Sequence, residues 1–284
     1  MVANVKDKAV IVGVANTEFS KNSGVSELNL AIQAVKRACD DAGIHPSDID
    51  GMATFTMDTT DEIELARALG VGELTFWGRS HYGGGAATGS LHQAVMAVAT
   101  GMAETVVVYR ALNGRSGHRF SGGVSGDITT ADAIHWGWYM PYGLLTPASW
   151  VAMFTQRWMH LTGITKDALY EVAKSTRDYG ANNPQAFFHG QTFDRAEYDA
   201  QKVIADPLQL LDCCMETDGG SAVIVTTPER ARDLKQPGVQ IRGIAQCAAE
   251  DQEQMTSFYR EEFAGIPEME VAAKNTYEMS DLSP

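Results

Sequence analysis

His81 and Tyr82 stand directly before Gly83, Gly84, Gly85 and Ala86, and an apolar helical pattern begins immediately afterwards. Consecutive glycines let backbone approach a ligand closely, and the free N–H groups of the following helix start could polarise a ligand oxygen. An imidazole and a phenol beside such a turn could serve as base or proton donor. The alternative is a tight strand-to-helix turn that holds no ligand, with His81 and Tyr82 structural or exposed. A second group is aromatic: Trp136, Trp138, Trp150 and Trp158, accompanied by Tyr139, Tyr142 and Phe154. Such a wall suits a flat polycyclic ligand. The competing reading makes Trp150, Phe154 and Trp158, which recur every fourth residue, the core-facing stripe of one helix.

The elements that must position these groups alternate strand with helix. Ala9–Ala15 reads as a buried first strand; Lys6 and Lys8 before it mimic a signal peptide, but Asp7 interrupts them and no cleavage site follows. Leu28, Ile32, Val35 and Cys39 mark an amphipathic helix with Ser26 as its cap and Gly43 as its stop. A strand at Met52–Met57, a helix at Glu62–Leu69 and a strand at Leu74–Trp77 follow. The helix after the glycines carries Leu91, Val95, Val98 and Met102, and Thr105–Tyr109 is a fourth strand. From about Ala111 to Asp206 the rhythm breaks into a Gly- and aromatic-rich insertion with helices at Trp150–Leu161 and Lys166–Asp178. A helical or loop segment at Pro207–Met215 then precedes a strand at Gly220–Val225. This pattern predicts an α/β fold, a sheet covered by helices.

Composition narrows the function. The 284 residues hold 22 Lys plus Arg against 36 Asp plus Glu, a formal charge of −14, and no basic run exists to neutralise phosphates, which argues against nucleic-acid binding. No apolar run approaches the roughly 18 residues of a membrane span, so a soluble protein is expected. Cys39, Cys213, Cys214 and Cys247 form neither a disulfide framework nor a zinc site, which makes a reducing cytoplasm the expected location. Asp218-Gly219-Gly220 reads as a turn before a buried strand, and Cys213 with Cys214 as packed side chains.

The chain also repeats itself. Val10–Ala15 resembles Gln240–Ala245, and Ala34–Pro46 aligns without gaps to Ala272–Pro284. A second copy of the opening strand-helix unit is therefore expected from about Val239. The first copy continues past Pro46 into Ser47-Asp48-Ile49-Asp50 and a strand, whereas the second stops at Pro284, so its half is expected to be truncated.

Several segments together resemble the thiolase superfamily, in its sterol carrier protein x and lipid-transfer thiolase branch. They are Asp41-Ala42-Gly43-Ile44 with Asp48-Ile49-Asp50, Ala87-Thr88-Gly89-Ser90, Asn182-Asn183-Pro184, Asp206-Pro207-Leu208, Leu211-Asp212-Cys213-Cys214 and Asp218-Gly219-Gly220. The resemblance implies a thiolase fold of two βαβαβαββ halves with a loop domain inserted in the first. Residues 1–110 with 207–238 would form the N-terminal half, 111–206 the inserted domain and 239–284 the start of the C-terminal half. Thiolases carry a nucleophilic cysteine just before the Ala-Thr-Gly-Ser-like run, and here that position is Ala86. A methyl group accepts no acyl group, and none of the four cysteines is near in sequence.

Among thiolase-like proteins the chain is similar to the cysteine-less steroid side-chain retro-aldolases, which cleave a β-hydroxyacyl-CoA to a ring ketone and propionyl-CoA. A retro-aldol needs a base, a hold on the departing enolate and an acid, but no carrier for an acyl group. The resemblance implies a pocket at Gly83, Gly84, Gly85 and Ala86 with Trp136 and Trp138, and His81 and Tyr82 as proton-transfer candidates. The main acid and base would lie beyond Pro284. His118 and Arg119 would either meet CoA phosphates or form an exposed loop pair. It further implies a CoA thioester substrate and no cofactor or metal held by this chain. A small OB-fold/zinc-ribbon partner would bind a homodimer to make a heterotetramer, with any zinc in the partner. The stretch from 249 to 284, with nine acidic residues against Arg260 and Lys274, is either a solvated face or a surface that steers that partner. Two other readings remain: a noncatalytic acyl-CoA or lipid carrier or scaffold, and a thiolase with a displaced nucleophile.

Overall fold

The computed structural model describes residues 5–55, 59–80, 87–117, 119, 131–253 and 256–284. Its strands are β1 (Val10–Asn16), β2 (Gly51–Phe55), β3 (Phe76–Ser80), β4 (Thr105–Asn113), β5 (Val203–Ala205), β6 (Leu208–Gln209), β7 (Asp218–Thr226) and β8 (Val239–Gln240). Its helices are α1 (Glu27–Ala42), α2 (Glu62–Leu69), α3 (Ala87–Thr100), α4 (Ala131–Gly137), α5 (Pro147–Thr162), α6 (Lys166–Asn182), α7 (Arg195–Asp199), α8 (Pro228–Ala231) and α9 (Pro267–Ser280). Six strands form one sheet in the order β3-β2-β4-β7-β1-β8, parallel at β3-β2-β4 and antiparallel elsewhere; β5 and β6 pair separately.

Helices cover both faces because strand side chains alternate. Val107, Tyr109 and Ile224 face α1, whose Leu30, Ala34, Val35, Ala38 and Cys39 are buried. Val106 and Val225 face α3 through Ala94, Val95 and Val98. Each fully buried valine contributes roughly 1.5–3 kcal/mol. The predicted caps of α1 form: Ser26 accepts from the Asn29 N–H, and Gly43 ends the helix at φ 77°. Glu27 in the first turn accepts the Asn113 N–H at 2.7 Å, which ties the end of β4 to the helix N-terminus.

The internal repeat survives as matched contacts. A Cβ on Gly13 would lie 2.4 Å from the Ala38 carbonyl and 2.8 Å from Ala42 Cβ. A Cβ on Gly243 would meet the Thr276 carbonyl at 2.7 Å and Ser280 Cβ at 3.1 Å. At the helix ends Gly43 and Ile44 donate to the Cys39 carbonyl, and Asp281 and Leu282 donate to that of Tyr277, with Asp281 left-handed at φ 53° as Gly43 is. Among the described residues the second copy nonetheless has only the two ladder residues of β8, paired with β1 at the sheet edge.

Several predicted boundaries move. β3 begins at Phe76 rather than Leu74, because the Thr75 and Phe76 N–H groups turn back to the Asp50 carbonyl before the ladder with β2 starts. β2 begins at Gly51 and ends at Phe55, and residues 56 and 57 of the predicted strand lie outside the described residues. β4 extends to Asn113 because β7 pairs with it along all nine positions. The Asp218 turn is a correction: Asp218 is the first residue of β7, opposite Asn113. Cys214 is exposed rather than packed, while Cys213 is half-buried. No helix of the described residues is long and apolar enough to cross a membrane.

Candidate functional site

The three parallel strands point their carboxyl ends the same way, and ligands of open α/β sheets bind outside such ends. Here the ends are Phe55, Ser80 and the Tyr109–Asn113 stretch. Thr54 Oγ1 donates to the Tyr109 carbonyl at 2.9 Å, and the Tyr109 hydroxyl donates to the Thr60 carbonyl at 3.3 Å. The Arg110 guanidinium lies 4.4 Å from the Phe55 ring centre. Arg79 binds Glu62 in a bidentate pair at 3.2 and 3.0 Å, against a buried carboxylate.

His81, Tyr82, Gly83, Gly84, Gly85 and Ala86 lie outside the described residues, between Ser80 and the first residue of α3. The first turn of α3 is described. Ser90 donates back to the Ala87 carbonyl at 2.6 Å. Gly89 carries the Gln246 carboxamide, so close that a Cβ there would come within 2.9 Å of three of its atoms. Farther along α3, burial lowers the pKa of His92, and its Nδ1 has no hydrogen-bond partner among the described residues. Its place in a regular apolar helix gave no sequence signal of a polar group.

The predicted aromatic wall divides. Trp136 is buried and packs on Trp150 at 5.3 Å, whereas Trp138 is 73% exposed. Phe154 stacks on Phe258 at 5.1 Å, with Phe263 beside both rings, and Tyr139 links this group to the Trp pair at 5.3 Å from Phe258 and 6.5 Å from Trp150. A groove of about 550 Å³ runs along α5, with Ala152, Met153, Gln156 and His160 on one side and Ala205 and Phe263 on the other. His118 lies outside the described residues, and Arg119 is exposed and pairs with Glu216 at 2.7 Å.

Sequence reasoning missed a half-buried polar cluster at the foot of this aromatic group. The Tyr139 hydroxyl donates to Glu253 and lies 3.0 Å from Thr256 Oγ1 and 3.1 Å from His135 Nε2. The other oxygen of Glu253 accepts the N–H groups of Phe258 at 2.7 Å and Tyr259 at 3.3 Å. Burial first, and then the bond to Glu253, hold the Tyr139 phenol well above its ordinary pKa.

Burial pushes the Cys39 thiol up to about 12 and raises that of Cys213, so neither supplies a thiolate near neutral pH. Among the described residues no group of three or more His, Cys, Asp or Glu could hold a metal ion.

No protein-family model matches the chain. It is 50% identical, over 97% of its own length and 71% of the relative's, to a steroid side-chain-cleaving aldolase of Thermomonospora curvata. It is equally identical, over 98% of itself and 72% of the relative, to a 17-hydroxy-3-oxo-4-pregnene-20-carboxyl-CoA lyase of Mycobacterium tuberculosis. Among solved structures it matches an Ltp2-ChsH2(DUF35) aldolase at TM-score 0.92 and 49% identity, covering 99% of this chain and 72% of that one. An SCP2-thiolase-like protein of Mycobacterium smegmatis shares the fold alone, at TM-score 0.69 and 17% identity, over 98% of this chain and 58% of that one. With half its residues shared along nearly its whole length, the chain belongs to the steroid side-chain-cleaving aldolases, and its fold is that of thiolase-like proteins.

Proposed function

We propose that the protein is a carbon–carbon lyase that cleaves a bulky steroid β-hydroxyacyl-CoA to a ring ketone and propionyl-CoA. The observation that carries this reading is 50% identity to two such lyases along nearly the whole chain. A base removes the proton of the tertiary ring hydroxyl, and the oxygen forms a carbonyl as the bond to the carbon α to the thioester breaks. The electron pair passes into the thioester enolate, and an acid protonates the α carbon to give propionyl-CoA. The N–H groups at the start of α3 hold the enolate oxygen, and Ala86 supplies no nucleophile to compete. His81 and Tyr82 are the candidates in this chain for moving protons; the main acid and base belong, in this reading, to the part of the relatives beyond the matched residues. The groove along α5 suits part of the substrate, since such ligands occupy cavities of about 300–1,000 Å³, and Phe263 supplies its aromatic side, while Trp136 is packed on Trp150 and Trp138 is exposed.

The chain itself binds no cofactor in this reading. It works in the cytoplasm as a homodimer joined to an OB-fold/zinc-ribbon partner; the solved aldolase relative whose name pairs two components supports a partner. The homodimer is supported by β3, an edge strand whose Phe76 and Gly78 line an apolar cleft with the exposed Met96 and Met102.

Alkylating the full-length protein with iodoacetamide is expected to leave cleavage of a 17-hydroxy steroid acyl-CoA at its original rate. Loss of turnover on alkylation would instead indicate a displaced cysteine nucleophile.

A further inference from the structure

One continuous segment touches both halves of the candidate site. Leaving β8, it buries Ile241 and Ile244 against α3 and lays Gln246 on Gly89 in the first turn of that helix. It then returns along the insertion, where Phe258 and Phe263 pack on Phe154 and Phe263 lines the groove. Between these contacts stands Glu253, 8% exposed, whose carboxylate receives the Tyr139 hydroxyl from the insertion and two backbone N–H groups from its own turn.

We propose that the Tyr139–Glu253 joint is a positioning device that sets the distance between the groove along α5 and the N-terminal turn of α3. The inference rests on the lyase reading: an acyl-CoA held in the groove must bring its thioester to the helix end. A buried carboxylate with three donors holds one geometry, because releasing any donor leaves a polar group unmet in a place water reaches poorly. Misplacement of reacting groups by about 1 Å can cost on the order of 100-fold in rate, so a loosened joint acts on turnover before it acts on binding.

The test uses the full-length protein copurified with its partner and a 17-hydroxy steroid acyl-CoA. Tyr139→Phe, which keeps the ring and its edge contact with Phe258, is expected to lower kcat about tenfold or more. The Kd for CoA should stay within about twofold, since the groove residues are untouched. Glu253→Gln keeps an acceptor for the turn N–H groups and should retain more activity than Glu253→Ala. A joint that only stabilises the fold would lower the melting temperature while leaving kcat per folded molecule unchanged, and that result overturns the proposal. So does a loss of CoA affinity equal to the loss of kcat. If the wild-type complex itself fails to cleave the substrate, the lyase reading falls and this inference falls with it; cleavage by wild type with unchanged kcat in Tyr139→Phe removes this inference alone.

Discussion

Replacing Asp218 with alanine is expected to lower stability by about 3 kcal/mol or more, read as a fall in the urea midpoint. Asp218 is fully buried at the head of β7. One carboxylate oxygen accepts the N–H groups of Arg115 and Ser116, each at 2.9 Å, and the other accepts the Ser23 N–H at 2.9 Å and the Ser116 hydroxyl at 2.5 Å. Alanine leaves three backbone donors without an acceptor where β1, β4 and the insertion meet. Burial opposes ionisation of this carboxyl, but the Ser116 hydroxyl and the three N–H groups outweigh it, and its pKa lies below the usual value. A depressed folded value means the stabilisation is complete above the unfolded pKa of about 3.9 and is lost as pH falls through the folded value. The wild-type midpoint should therefore drop below about pH 4 more steeply than that of Asp218→Asn. An unchanged midpoint in Asp218→Ala would show that water replaces the carboxylate at little cost.

Gly13→Ala is expected to be nearly as damaging, about 2–3 kcal/mol in the same measurement. The new Cβ would sit 2.4 Å from the Ala38 carbonyl oxygen and 2.8 Å from Ala42 Cβ. Backbone in the middle of α1 cannot withdraw without dragging the helix off the sheet. Gly243→Ala, the equivalent change in the second copy, meets its nearest atom at 2.7 Å and should cost less. Gly180→Ala near the end of α6, with nothing within 4 Å, should gain up to about 1 kcal/mol from helix propensity. If Gly13→Ala and Gly180→Ala shift the midpoint alike, close packing of β1 on α1 is not what requires the glycine.

These two sites show what was legible in the sequence and what was not. Local signals carried α1 and α2: Ser26, Gly43 and the apolar spacing are properties of neighbouring residues, and the structure matches them closely. The repeat was legible for the same reason, since Gly13 and Gly243 each sit in a copied stretch and make copied contacts. Asp218 was read as a turn because Asp-Gly-Gly is a local turn signal. Its place in β7 follows instead from pairing with β4 and from donors about a hundred positions earlier, which no local pattern reports. The Tyr139–Glu253 joint was invisible for the same reason, its partners being 114 positions apart. The glycine turn and Ala86, singled out from sequence alone, lie outside the described residues. Family membership now gives the missing cysteine a chemical meaning: a retro-aldol transfers no acyl group to the protein.

The central claim is tested most directly by incubating the full-length protein and its partner with a 17-hydroxy steroid acyl-CoA in the absence of free CoA, and measuring both products by mass. The account predicts ring ketone and propionyl-CoA in equal amounts. Tight binding of the acyl-CoA with neither product formed would contradict it and make the protein a carrier or scaffold, while products that appear only when free CoA is added would make it a thiolase.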